Sequence, residues 1–456
     1  MKIGYLPLYI KLYDDNGAKR DVMQKFYEDT TAIFREKGLC VVTSDFCRIE
    51  SEFKETVKKF EDEKVDAIVT WHAAYSPSLE SIEVLANTKL PIIVFDSTPT
   101  KVFDQDAIME GAISWNHGIH GVMDMCSMLK RYGKPYAIAA GHYEDGVCID
   151  RVIGFVKSAI AARKLNGMKV GLVGGAFKGM GDFAVDPAEL KARFGINVEN
   201  VDKDYLKSLF ESITEGEIKA EMDKDSQKYE LADNIVTDEY KVYTKGCLAM
   251  RKCIGEKNYD AFSVSFLNVE GLGTMPFTEA CKSMEKGIGY AGEGDALTAS
   301  FTGALLSGYP ETNFVEIFCP VWTENKLFLS HMGERNYRIT EGKPYLASTN
   351  SPYVKGNMPY AGYGCMKSGK GVYVNISRDK DDYQMLITPC EMVDEETPKK
   401  RTVMRGWMKP ENGTVAEFLE NLSKNGATHH STFVYGATVE EMEFFAKLLK
   451  IKTVII

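Results

Sequence analysis

Two hydrophobic rhythms divide this chain. Up to about residue 311, short apolar runs alternate with stretches whose apolar positions recur at helical spacing. Residues 2–10 predict a strand, Asp21 to Lys37 a helix, and Leu39-Cys-Val-Val-Thr43 a strand. A helix over Glu52 to Glu63, a strand at Val65-Asp-Ala-Ile-Val-Thr70, a helix over Leu79 to Asn87 and a buried strand at Pro91-Ile-Ile-Val-Phe95 follow. Strands alternating with helices predict a parallel, doubly wound sheet. After a boundary near Lys164-Leu-Asn-Gly167, the strand Met168-Lys-Val-Gly-Leu-Val173 opens a second unit of the same kind, which includes Ala261-Phe-Ser-Val-Ser-Phe266. From about residue 312 the runs shorten and turn residues separate them: Phe314-Val-Glu-Ile-Phe318, Lys326-Leu-Phe-Leu329, Gly371-Val-Tyr-Val-Asn375, Tyr383-Gln-Met-Leu-Ile387 and Thr402-Val-Met404. That is the pattern of an antiparallel, barrel-like β domain. The expected organisation is α/β: a Rossmann-like domain over 1–166, a second over 167–311, and a β domain over 312–456 ending in a helix and a strand.

Composition narrows the function classes. A net charge of −10 offers no basic stripe for nucleic acid. No apolar run approaches the length of a membrane span. The ten cysteines are scattered without a C-x-x-C pair, as reduced thiols in the cytoplasm would be, and nothing at the start reads as a signal peptide.

The densest candidate chemistry lies in Gly287-Ile-Gly-Tyr-Ala-Gly-Glu-Gly-Asp295. Glycines let a ligand approach the main chain, and a carboxylate on such a turn suits metal ligation or general base work. Asp295 reads as the N-cap of the following apolar helix, which leaves Glu293 as the functional residue. Strand ends in doubly wound sheets face the ligand crevice, which points to Trp71-His72-Ala-Ala-Tyr75-Ser-Pro77 and to Asp96-Ser97. His117 and His120 lie beside glycines, either as solvent-facing imidazoles at a helix start or as substrate contacts. The turn Gly174-Gly-Ala-Phe-Lys-Gly-Met-Gly181 does not have the G-x-G-x-x-G spacing of a dinucleotide site, so NAD is not expected there.

Three motifs then stand in order: Gly289-Tyr-Ala-Gly-Glu-Gly-Asp295, Leu329-Ser-His-Met332 and Gly426-Ala-Thr-His-His-Ser-Thr-Phe433. With Thr70-Trp-His-Ala-Ala-Tyr-Ser-Pro77 and Ile119-His-Gly121 upstream, they resemble the L-arabinose isomerase branch of the L-fucose/L-arabinose isomerase family over essentially the whole chain. The resemblance implies a metal-dependent aldose–ketose isomerase acting on a pentose, deoxyhexose or related sugar through a cis-enediolate. It implies Mn²⁺ or another divalent ion held between two acidic residues and two histidines, the acids also moving the proton between C1 and C2. It implies a homotrimer or homohexamer whose sites are completed by a neighbour's N-terminal domain. Carried over motif by motif, Glu293, His331 and His430 are metal ligands and Glu293 is catalytic. His120 is a substrate contact on the neighbouring subunit, and Met180 is a pocket residue. Trp71, His72 and His117 complete the substrate-binding candidates.

One position departs from the pattern. Counting back without gaps from Pro276 and Glu293 puts the second acidic ligand at Leu267, which has no donor atom. Asn268 and Glu270 are the possible replacements. Without a second positioned acid or base, the rate falls by roughly 10²–10⁴-fold. The alternative is therefore a divergent member that binds a sugar or catalyses a neighbouring reaction. One carboxylate with two histidines also has the composition of a non-haem iron site.

Overall fold

The N-terminal alternation becomes a five-stranded, all-parallel sheet. Its strands are β1 (Lys2–Leu8), β2 (Cys40–Thr43), β3 (Ala67–His72), β4 (Ile92–Asp96) and β5 (Tyr136–Ala140), in the order β2-β1-β3-β4-β5. The computed structural model describes residues 1–16, 20–233, 235–269, 271–349, 353–394 and 402–456. Within this first compact unit, residues 1–160, both faces of the sheet are covered by amphipathic helices such as Arg20–Glu36 and Glu50–Asp62. Their inward residues, Phe34, Phe53, Val57 and Phe60, are buried. The near-continuous burial of β3 and β4 is what a parallel strand covered on both faces requires.

The second compact unit, residues 161–456, holds two further sheets. One is parallel, with β6 (Lys169–Val173), β7 (Asn197–Asn200), β9 (Ala261–Val264) and β10 (Gly289–Gly292) in the order β10-β9-β6-β7; the short β8 (Glu230–Leu231) lies between them in sequence. The other contains β11 (Thr312–Val321), β12 (Lys326–Ser330), β13 (Tyr345–Ser348), β14 (Tyr360–Cys365), β15 (Gly369–Asp379), β16 (Asp382–Val393), β17 (Met404–Pro410), β18 (His430–Tyr435) and β19 (Lys452–Ile455). Antiparallel pairing runs β16-β15-β18-β11-β12-β17 and returns from β17 to β16, closing a six-stranded barrel. β19 extends β16, and β14, β13 and β8 extend β17.

The helix Ala296–Gly308 joins the parallel sheet to the barrel. It is buried on nearly every side, with one apolar core running from Val170 and Phe262 through Phe301 to Val374 and Val434. A helix apolar all round is a buried helix. It rigidly carries the turn before it, and that turn holds Glu293.

Candidate metal and substrate site

Glu293 sits between the end of β10 and the helix Ala296–Gly308, with φ 63° in the left-handed region. Only a strongly held turn keeps a side-chain-bearing residue there. The Ser263 hydroxyl donates to the Ala291 carbonyl at 2.6 Å and accepts from the Gly294 amide at 2.9 Å, and the Phe177 amide donates to the Glu293 carbonyl at 2.9 Å. Two glycines of the motif make room. A Cβ on Gly292 would lie 2.7 Å from His331 Cε1, and one on Gly294 would lie 2.4 Å from both Ala176 Cα and the Gly175 carbonyl oxygen. The glycine-rich turn after β6 thus packs against the Glu293 turn.

Asp295 has two jobs. One oxygen caps the helix by accepting from the Thr298 amide at 2.8 Å, and the other lies 3.0 Å from His430 Nδ1. A carboxylate in this pair accepts, so Nδ1 carries the hydrogen and Nε2 keeps its lone pair. His430 is fully buried, with Phe183 stacked on its ring and the edge of Phe314 beside it. Among the described residues its Nε2 makes no hydrogen bond, and it lies 3.6 Å from Glu293 Oε2. His331, just past β12, repeats the design. Its Nδ1 is 2.7 Å from Glu334 Oε2, and the other Glu334 oxygen accepts from the Tyr290 hydroxyl at 2.7 Å. Its Nε2 lies 3.6 Å from Glu316 Oε2.

Glu316 is the residue that sequence reasoning missed. β11 pairs with β18 so that Glu316 stands opposite His430, and with β12 so that Glu316 stands opposite Ser330, the residue before His331. Barrel register therefore sets this carboxylate between the two histidines. The one signal available was an acid two residues from Phe314 within the otherwise apolar run Phe314 to Phe318, hence on the same face as a buried aromatic ring. Leu267, the position expected from gapless counting, is instead 45 % exposed on the turn after β9. Asn268 is exposed and its carbonyl packs against Gly174, while Glu270 lies outside the described residues.

Two sets of three donors, Glu293/His429/His430 and Glu316/His331/His430, each lie within 4.8 Å of one another, and His430 belongs to both. Electrostatics separates the two carboxylates. Burial pushes Glu316 up, against the pull of the histidines. Burial also pushes on Glu293, but its hydrogen bond to His429 and the charges of His331 and His430 outweigh this and hold it below the ordinary carboxylate value. Burial opposes charge on His331, yet Glu334, Glu316 and Glu293 together raise it to about 9. His429, 2.6 Å from Asp182 and 3.5 Å from Glu293, is raised to about 9, first by Glu293 and against burial.

This donor set fits a divalent cation. Mixed carboxylate and imidazole ligands suit such ions, and ligating histidines characteristically give their second nitrogen to a carboxylate. Both buried imidazoles do so here, and the unpartnered Nε2 of His430 would otherwise be a costly orphan.

The remaining sequence candidates fall elsewhere. Met180 is half-buried on the glycine-rich turn of the second unit. Trp71, His72, His117 and His120 belong to the first unit. Trp71 is a core residue rather than a surface a sugar could reach: it is 1 % exposed, stacked on Phe26, with its indole N–H donated to the Ser97 carbonyl. His72 is also buried, closely walled by Gly118 and Gly121, and burial depresses it to about 3, so it stays neutral. His117 bonds Tyr13 and the Ile113 carbonyl, whereas His120 is exposed.

Comparison with known proteins bears on the same segments. Residues 174–307 match the family model for the L-arabinose isomerase central domain, and residues 311–452 match that for the L-arabinose isomerase C-terminal domain. L-arabinose isomerase from Aeromonas salmonicida is 24 % identical over 410 residues, spanning 86 % of this chain and 81 % of that protein. The enzyme of the same name from Anoxybacillus flavithermus is 22 % identical over 407 residues, covering 86 % and 81 %; that from Klebsiella pneumoniae is 23 % identical over 412 residues, covering 87 % and 81 %.

Proposed function

Because the chain belongs to the L-arabinose isomerase-like family, we propose that it is a divalent-metal-dependent aldose–ketose isomerase acting on a pentose, deoxyhexose or related sugar. The observation that carries this reading is the arrangement of His331 and His430, buried and tied through Nδ1 to Glu334 and Asp295, with Glu293 and Glu316 at their Nε2 atoms. Glu293, Glu316, His331 and His430 would hold the ion, Mn²⁺ by the resemblance. When bound, it supplies Lewis acidity toward the sugar oxygens.

The chain's own residues do the rest. Aldose–ketose interconversion removes a proton from C2, places one on C1 and shifts a hydroxyl proton between the two oxygens, through a cis-enediolate. Two carboxylates at one site can take and return the carbon-bound proton. Asp182 and His429 stand behind Glu293 and fix its orientation. Glu316 provides the second carboxylate, so nothing at Leu267 requires a divergent reaction or a purely sugar-binding role.

The family resemblance also motivates a homotrimer or homohexamer in the cytoplasm, with His120 serving a neighbour's site. His120 shares its segment with exposed Val102, Phe103, Met109, Ile113 and Met123, and surfaces of that kind mark association sites.

Metal analysis and an aldose panel beginning with L-arabinose test the proposal. The expected result is about one ion per chain, turnover lost in EDTA, and deuterium taken up at the carbon-bound position when the reaction runs in D₂O. Metal-replete protein that turns over no aldose would overturn it.

A further inference from the structure

Three histidines at the site, not two, share one arrangement. Each sets Nδ1 against a carboxylate: His331 against Glu334 at 2.7 Å, His430 against Asp295 at 3.0 Å and His429 against Asp182 at 2.6 Å. Asp182 Oδ2 also accepts from the His429 amide at 2.9 Å, so one oxygen anchors both the ring and its backbone. With the hydrogen on Nδ1, the Nε2 lone pair is left for a metal ion. Each Nε2 also has a carboxylate oxygen at nearly the same distance: Glu316 is 3.6 Å from His331, and Glu293 is 3.6 Å from His430 and 3.5 Å from His429. These gaps are long for N–H···O hydrogen bonds. Two ligands about 2.1 Å from one ion at a tetrahedral angle stand roughly 3.4 Å apart. The spacing is therefore that of groups sharing an ion, and His429 has it as much as the other two.

We propose that Glu293, His429 and His430 form a second position for the divalent cation, with His429 as a third imidazole ligand. The inference rests on the proposed metal dependence, not on which reaction follows. The donor atoms of this set lie within 4.8 Å of one another, as do those of Glu316, His331 and His430. Among the described residues no such set unites His331 with His429, so the two positions are separate. They share His430 Nε2, which has one lone pair to give. The positions therefore exclude each other, and a single ion is distributed between them. Asp182, which follows the glycine-rich turn Gly174 to Gly181, is the positioning residue for the second one, because it sets the orientation and tautomer of His429.

Anomalous diffraction at the manganese edge tests this apart from turnover. Crystals of EDTA-treated parent protein and of His429→Gln are soaked in Mn²⁺. The expected parent map has two partly occupied peaks whose occupancies sum to about one ion per chain. One is bonded to Glu316, His331 and His430, the other to Glu293, His429 and His430. In His429→Gln the second peak is lost and the first rises to full occupancy. A single peak in the parent, whether apart from His429 or bonded to both His331 and His429, would overturn the proposal. So would a second peak that persists in His429→Gln. A map with no Mn²⁺ peak overturns it together with the metal dependence. If two peaks appear but no aldose is turned over, the isomerase reading falls and the second position stands. If aldoses are turned over and one peak appears, the second position falls and the isomerase reading stands.

Discussion

Glu316 decides how the site is understood. Gapless counting selected Leu267, and a leucine there would have removed half of the acid–base machinery. The carboxylate instead comes from β11, opposite His430. Glu316→Gln is expected to lower kcat by roughly 10²–10⁴-fold and to reduce bound metal, read by steady-state kinetics and elemental analysis. Leu267→Glu is expected to leave metal content and turnover as in the parent, because that side chain points to solvent at 45 % exposure. A rise in metal affinity in Leu267→Glu would restore the counted register. The carboxylates behind the imidazoles carry a separate expectation. Asp295→Asn or Glu334→Gln should cost roughly 10–100-fold in metal affinity, since each sets a ring's orientation and tautomer. Competition with a fluorescent chelator measures it.

At the level of elements, one turn and one barrel register do most of the positioning. The turn brings Glu293 out of β10 in a left-handed conformation, and the glycines on either side accommodate His331 and the turn after β6. Gly294→Ala meets two obstacles: φ of 84°, and a Cβ 2.4 Å from the Ala176 main chain. The expected loss exceeds about 1 kcal/mol, seen as a lower denaturation midpoint together with loss of bound metal. Much of this level was legible beforehand. The parallel sheets follow from alternating strand and helix patterns, and the β domain follows from short runs between turn residues. Strand partners were not legible. Phe314-Val-Glu-Ile-Phe318 looks the same whichever strands lie beside it, and the meaning of Glu316 depends wholly on β18 and β12 being those neighbours. Trp71 shows the opposite failure. It directly follows a predicted strand, as crevice residues do, yet its ring turns into the aromatic core with Phe26.

Over the whole molecule, the donors are drawn from the β10 turn, β11, the end of β12 and β18, all in the second compact unit. An ion held by these donors would tie the parallel sheet to the barrel. Ligand binding to the native state stabilises by mass action, about 2.7 kcal/mol at a free concentration a hundredfold above Kd. Adding Mn²⁺ to EDTA-treated protein should therefore slow hydrogen exchange across residues 289–295, 312–317 and 430–435, and leave β1 to β5 unchanged. Uniform slowing, or none, would count against a metal centre confined to these segments. The chain's own pattern was enough to specify the α/β and barrel architecture and to single out Glu293, because helical and strand periodicity and glycine-rich turns are local properties written in consecutive residues, whereas His331 and His430 were marked only by the resemblance of their motifs to the family. Folding in three dimensions alone selected Glu316 as the second carboxylate, gave Asp295 and Glu334 their hold on the imidazoles, and buried Trp71. Each of these depends on which distant segments become neighbours, and hydrogen-bond register between strands leaves no mark in the spacing of residues along the chain.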